Sequence, residues 1–183
     1  VRVSGAIPPA RHPFVAVANH QSFLDVFMLA RLPWEMKWVA KEELFRIPWL
    51  GWMFRLSGDI PVRRGDHESG QAVLAAARGY LDRGMSVMFF PEGTRSRDGR
   101  LQAFKIGAFR LAIEAGVPVL PIAVSGTAEA MPKGSPWVRP ARPRARVLPL
   151  VETKGLAPEQ AERLRDEVRE RIAGALADLE REA

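Results

Sequence analysis

Phe14-Val15-Ala16-Val17-Ala18-Asn19 is a short apolar run, and Ser22 to Arg31 follows it with Phe23, Val26, Phe27 and Ala30 at helical spacing. The first stretch reads as a strand and the second as a helix, with a turn at His20 and Gln21 between them. The same alternation continues along the chain. Met36 to Ala40, Asp59 to Val62, Ser86 to Phe90, Val117 to Val124 and Ala145 to Val151 read as strands. His67 to Arg83 and Phe104 to Ala115 read as helices, the second ended by Gly116. Residues from about 158 to 181 form an amphipathic helix with a Leu164, Val168, Ile172, Leu176, Leu179 stripe. Strands alternating with helices predict an α/β fold with a mixed, largely parallel central sheet flanked by helices. Two prolines in 117–124 suggest an edge or irregular strand there, and four prolines in 131–143 suggest a loop.

The chain has 183 residues, enough for one domain with a real core, and residues 1–183 read as a single domain. It has no cysteine, which excludes disulfides, thiolate catalysis and cysteine–zinc sites; three histidines make a histidine-rich metal site a poor expectation. The net charge of +6 is unevenly placed. Residues 1–157 carry 22 Lys and Arg against 13 Asp and Glu, and residues 158–183 carry 5 against 8. A body of net +9 suits an anionic partner such as a phospholipid surface, an acidic carrier protein or a phosphorylated substrate. No apolar stretch approaches the roughly 18 residues that span a bilayer. Residues 1–11 lack the features of a signal peptide, and the first motif stands so near residue 1 that the coding start is expected upstream.

His20 and Asp25 stand five residues apart, which on one helix would separate them by roughly 140°. A turn changes this. With Ser22 as N-cap, Asp25 falls in the first helical turn while His20 remains on the incoming loop, within reach of the carboxylate. An aspartate bonded to one ring nitrogen fixes the tautomer and leaves the other nitrogen as a base. Ser22-x-x-Asp25 is equally a capping-box pattern, so this segment alone leaves both readings open.

Phe89-Phe90-Pro91-Glu92-Gly93-Thr94-Arg95-Ser96 follows the strand at 86–90. Ligands of open α/β sheets bind beyond the carboxyl ends of strands, and this end carries a carboxylate, a glycine, a hydroxyl and a guanidinium. Arg95 can grip a phosphate with two donors, and Arg97, Arg100 and Lys105 are close in sequence. Taken alone, the cluster could also be a solvated turn.

Together the two segments are far more specific. Asn19 to Asp25 resembles the first motif of the glycerolipid acyltransferase family, a histidine and an aspartate separated by four residues. Phe90 to Ser96 matches that family's third motif, and Gly58 to Arg64 and Val119 to Ile122 look like the second and fourth, with Arg64 and Pro121 at the motif positions. The bacterial 1-acylglycerol-3-phosphate acyltransferases are the most similar subgroup. The resemblance implies transfer of a fatty-acyl group from a thioester, acyl-CoA or acyl-carrier protein, to the sn-2 hydroxyl of lysophosphatidic acid, forming phosphatidic acid. It implies no cofactor and no metal, and a peripheral location at the cytoplasmic face of the cell membrane. It assigns His20 as base, Asp25 as its partner, and Arg64, Glu92, Gly93, Thr94, Arg95 and Lys105 to the acceptor. Arg63, where an acidic or polar residue is common, leaves another lysolipid acceptor, such as lyso-ornithine lipid, as the alternative.

That chemistry needs no nucleophilic side chain, and the sequence has no Gly-x-Ser-x-Gly elbow. A nucleic-acid module would interleave stacking aromatics with Lys and Arg; the one tyrosine, Tyr80, and the tryptophans at 34–52 and 137 are not so arranged. Leu44 to Leu56 (LFRIPWLGWMFRL) is expected either to pack in the core or to wall an acyl-chain groove opening at the bilayer interface. In the second case Gly51→Leu should shorten the groove. Residues 131–146, with Met131, Trp137 and Val138 among five cationic residues, are expected to touch lipid.

Overall fold

The computed structural model describes residues 2–5, 13–96, 99–135 and 137–182. Seven strands form one sheet: β1 (Arg2–Gly5), β2 (Val15–Ala18), β3 (Met36–Lys41), β4 (Ile60–Val62), β5 (Ser86–Phe89), β6 (Val119–Ser125) and β7 (Arg144–Val147). Their spatial order is β1-β7-β6-β2-β5-β3-β4, and among these described neighbours every strand pairing is parallel except β6–β7. The helices are α1 (Leu24–Leu29), α2 (Leu50–Leu56), α3 (His67–Leu81), α4 (Gly107–Ala115), α5 (Thr127–Ala130) and α6 (Ala161–Arg181). The mixed, largely parallel sheet flanked by helices is the expected architecture.

Side chains alternate across β2, as the two-residue strand period requires. Val15 and Val17 join a core with Phe109 and Ala112 of α4, Ala77 of α3 and Leu164, Val168 and Ile172 of α6. Ala16 and Ala18 face the other layer, with Met28, Leu29, Trp34, Leu120 and Ile122. Both faces of β2 are therefore buried, which is why its sequence runs apolar without alternation. Among the described residues no helix is long and apolar enough to cross a membrane.

Several expectations need correction. The 117–124 segment is not an edge strand, since β6 lies between β7 and β2. Its prolines are tolerated because Pro118 precedes the strand and Pro121 lies where β7 ends. The Pro121 carbonyl accepts Leu148 N–H at 3.0 Å, just past the last pair Ile122–Val147, so the N–H that proline lacks would also have faced that end. Helix α4 starts at Gly107, not Phe104; it closes at Gly116, whose left-handed φ of 66° suits glycine. Helix α1 is shorter than 22–31, and its N-cap position falls on Phe23 rather than Ser22. The Ser22 hydroxyl accepts Leu24 N–H at 3.3 Å and donates to the Met131 carbonyl at 2.7 Å.

Candidate active site

β2 and β5 are parallel neighbours in register, Val15 beside Val87 and Val17 beside Phe89, so both chains leave the sheet at the same edge. That places Asn19-His20-Gln21 next to Phe90-Pro91-Glu92. Asn19 extends the sheet with its side chain: Oδ1 accepts Val124 N–H at 2.7 Å and Nδ2 donates to Val124 O at 2.8 Å. The backbone of β2 is thus held to β6 until the chain turns.

The imidazole of His20 and the carboxylate of Asp25 meet there. His20 Nδ1 lies 2.8 Å from Asp25 Oδ2. The same oxygen accepts the backbone N–H groups of Gln21 and Ser22 at 2.7 and 2.9 Å. Asp25 is fully buried. The cap and the pairing, which the sequence offered as alternatives, coexist on one oxygen. Because an ionised carboxylate only accepts, Nδ1 carries the proton and Nε2 is left with a free lone pair. Phe90 stacks on the imidazole at 4.0 Å with 17° between the planes, which fixes the ring.

Glu92 is where the resemblance and the geometry part. Its Oε1 accepts the backbone N–H of His20 at 2.8 Å, and its Oε2 that of Gln102 at 3.3 Å. The side chain is buried, and burial pushes its pKa up, with the Asp25 charge adding to the effect. A carboxylate so engaged ties backbone segments together, and Glu92 is not among the residues that line the neighbouring cavity. The loops are tied again by Ser96 N–H, which donates to His20 O at 2.8 Å, and Lys105 N–H donates to Pro91 O at 2.8 Å. Gly93 has φ of 71°, and a Cβ there would lie 2.9 Å from Lys105 Cε, so the lysine side chain crosses over the glycine. Lys133, which no local spacing links to this loop, donates to Thr94 Oγ1 at 3.1 Å and to Arg95 O at 2.9 Å from 39 and 38 residues away. Arg97 lies outside the described residues.

A cavity of about 490 Å³ opens between these loops and α3 and α4. His20, Arg64, Gly93 and Lys105 are among its polar lining, with Asp66, His67 and Gln71, and Leu44, Phe54, Val73, Leu74 and Ala108 are among its apolar lining. Arg64 has its pKa pulled down, first by desolvation and then by repulsion from Arg95, so two guanidinium groups share one neighbourhood. Arg63 also lines the cavity, with its guanidinium bound to Glu42 and to Asp66 at 3.0 and 3.3 Å. Pro121, from the fourth motif, is in the sheet beside Val17 and not in the cavity. A base at one end, an apolar chamber, and paired cations suit an anionic amphiphile carrying a hydroxyl.

The 44–56 segment is part buried and part exposed. Phe45 and Phe54 are buried against each other at 5.2 Å, and Leu44 and Phe54 wall the cavity, while Trp49, Trp52, Met53 and Leu56 are exposed. Gly51→Leu is not a groove-shortening change, because a Cβ at Gly51 would lie 2.1 Å from the Phe45 carbonyl oxygen and would force α2 off its support.

A family model described as Acyltransferase matches residues 1–125. The chain is 46% identical over 129 residues to the chloroplastic 1-acyl-sn-glycerol-3-phosphate acyltransferase of Brassica napus, covering 70% of this chain and 38% of that protein. It is 41% identical over 172 residues to a 1-acyl-sn-glycerol-3-phosphate acyltransferase of Chlamydomonas reinhardtii, covering 93% and 50%. The chain thus spans half or less of the length of these two curated relatives. The crystal structure of the 1-acyl-sn-glycerophosphate acyltransferase PlsC from Thermotoga maritima superimposes with a TM-score of 0.84 at 32% identity, covering 98% of this chain and 72% of that one.

Proposed function

We propose that this chain, which belongs to the acyltransferase family, transfers a fatty-acyl group from a thioester to the sn-2 hydroxyl of 1-acyl-glycerol-3-phosphate and so forms phosphatidic acid. The observation that carries the reading is the 2.8 Å contact between His20 Nδ1 and Asp25 Oδ2 beside a cavity that His20 lines together with cationic and apolar side chains. The relatives named for this reaction support the choice of acceptor.

The free lone pair of His20 Nε2 takes the proton of the acceptor hydroxyl as its oxygen attacks the thioester carbonyl. Asp25 stabilises the imidazolium that results. When the tetrahedral adduct collapses, the C–S bond breaks and the thiolate takes the proton from His20. The products are an ester and a free thiol, and the base is regenerated. The attacking oxygen belongs to the substrate, so the step needs no side-chain nucleophile and no cofactor. Arg64 and Arg95 bind the acceptor phosphate as charge-assisted donors. Gly93 lets Lys105 approach the same region, and Thr94 shapes it through Lys133. The apolar part of the cavity takes the acyl chain. The donor is acyl-CoA or acyl-carrier protein. The enzyme works as a peripheral protein at the cytoplasmic face of the cell membrane, a reading supported by the basic body and by an acceptor and product that reside in bilayers.

The test is thiol release by the purified chain with lysophosphatidic acid, offered acyl-CoA and acyl-carrier protein in parallel, beside a panel of other lysolipids including lyso-ornithine lipid. Acceptor-dependent release, lowered roughly 10²–10⁴-fold in His20→Ala, supports the reaction. Release that needs no acceptor, or that His20→Ala leaves unchanged, overturns it.

A further inference from the structure

The short 3-10 turn Glu42–Arg46 and α2 form a wedge with two apolar faces. The inner face is accounted for: Phe45 and Phe54 pack together, Gly51 lets the two segments touch, and Leu44 and Phe54 wall the cavity that begins at His20. The outer face is not. Leu56 is 87% exposed and Trp49 79%, with Trp52 and Met53 also open to solvent. Trp49 is held at φ of 65°, the one non-glycine residue with positive φ among the described residues, a conformation that bulky side chains avoid. Its ring meets Trp52 edge-on at 6.0 Å. Arg46, paired with Glu42 at 2.9 Å, and Arg55 line a recess together with Glu42 and Asp59.

We propose that this outer face, built on Trp49, Trp52, Met53 and Leu56, docks on an anionic lipid bilayer and holds the cavity mouth at headgroup level. The proposal rests on the acyltransferase reading above. Tryptophan and arginine are the side chains that suit the boundary between acyl chains and headgroups. Exposed apolar patches of this kind mark interaction surfaces, and the basic body, with 22 Lys and Arg against 13 Asp and Glu over residues 1–157, matches an anionic lipid surface. The wedge is also a shared wall. A bilayer against its outer face lies one helix away from the apolar chamber on its inner face, so a lysolipid can enter the chamber from the bilayer with its chain shielded from water.

The experiment uses the 183-residue chain, vesicles of phosphatidylglycerol and phosphatidylcholine, and a second assay with a short-chain acceptor that stays monomeric in water. The variants are Trp49→Ser with Trp52→Ser, Leu56→Ser alone, and Trp137→Ser for comparison. Sedimentation should show the double variant losing vesicle binding by roughly tenfold or more, because binding scales with the apolar area buried. Leu56→Ser should lose less, and Trp137→Ser less than the double variant. Bromines on the acyl chains should quench the fluorescence of the parent and spare that of the double variant. Turnover of vesicle-embedded acceptor should fall with binding, whereas turnover of the monomeric acceptor should hold.

Equal vesicle binding by parent and double variant overturns the proposal. So does a parent that binds no vesicles, or a parent dimer that the double variant dissolves, since the face would then belong to another segment or a second copy. If the double variant fails to fold, Leu56→Ser at its solvent-exposed position decides the matter by the same two readouts. Lost vesicle binding without acyl transfer to either acceptor in the parent would leave the docking face standing and overturn the catalytic reading instead.

Discussion

The carboxylate of Glu92 accepts the backbone N–H of His20 at 2.8 Å, so the third motif holds the first in place from behind. Burial raises the Glu92 pKa from an ordinary 4.5, which means the folded chain holds this proton more tightly than the unfolded chain does. The stability from that proton is fully present below about 4.5 and is lost as pH rises through the elevated folded value. Glu92→Gln cannot lose a proton, so the melting temperature of the parent relative to this variant should fall as pH rises above about 4.5. Thermal unfolding of both proteins across pH 4–8 checks the slope; a flat difference would contradict it. Glu92→Ala should lower kcat with little change in the KM for the acceptor, because the side chain holds the base and not the substrate.

Much of this site was legible because its chemistry is local. His20 and Asp25 are five residues apart, and a strand followed by a helix leaves few ways to arrange the turn between them. The strands β2 and β5 were legible because burial on both faces leaves continuous apolar runs. Strand β1 was not, since all four of its residues are exposed and carry no pattern, and its pairing with β7 joins segments 142 positions apart. The long-range polar ties were equally hidden. Lys133 reaches Thr94, and Glu92 reaches back to His20, through contacts 39 and 72 residues apart that no local spacing encodes. Pro121 misled because a proline's place in a sheet depends on which neighbour ends first.

Arg64 should act on the acceptor alone. Its guanidinium feels the charge of Arg95, and a dianionic phosphate bound by both, as proposed above, would relieve that repulsion. A hydrogen bond to a charged group contributes about 1.5–3 kcal/mol, so Arg64→Met should raise the KM for lysophosphatidic acid by roughly 10–100-fold. The KM for the thioester should hold. Initial rates with each substrate varied in turn check this, and an equal rise in both constants would remove Arg64 from the phosphate site.

Gly107 offers a cleaner probe of the acyl chamber than Gly51. It lines the cavity at the start of α4, and a Cβ there would sit 3.5 Å from the Leu74 methyl carbons, which is ordinary contact. Gly107→Leu therefore fills chamber volume without displacing backbone, and it replaces a poor helix former with a good one. Each buried methylene contributes about 0.8 kcal/mol, so preference should move toward acyl chains shorter by roughly two to four carbons. Competition among donors of different chain length reads this directly. An unchanged profile in a folded variant would place the acyl chain elsewhere.

The last prediction concerns α6, which lies beyond the matched residues 1–125. Arg169 on that helix donates to the carbonyls of Gln102 and Leu101 at 3.1 and 3.3 Å. Gln102 N–H in turn donates to Glu92 Oε2 at 3.3 Å, and Glu92 Oε1 receives His20 N–H. A guanidinium on the C-terminal helix is thus three contacts from the base, and it fixes the segment that orients Glu92. Arg169→Met removes both donors and should lower kcat about tenfold, the scale of one hydrogen bond to a charged group, while both KM values hold. Arg169→Lys, with a single cationic tip, should recover part of the loss. Because the effect passes through Glu92, combining Arg169→Met with Glu92→Ala should cost little more than Glu92→Ala alone. Fully additive losses, or a kcat per folded molecule that does not change while the melting temperature drops, would reduce Arg169 to a packing contact between α6 and the 99–105 loop.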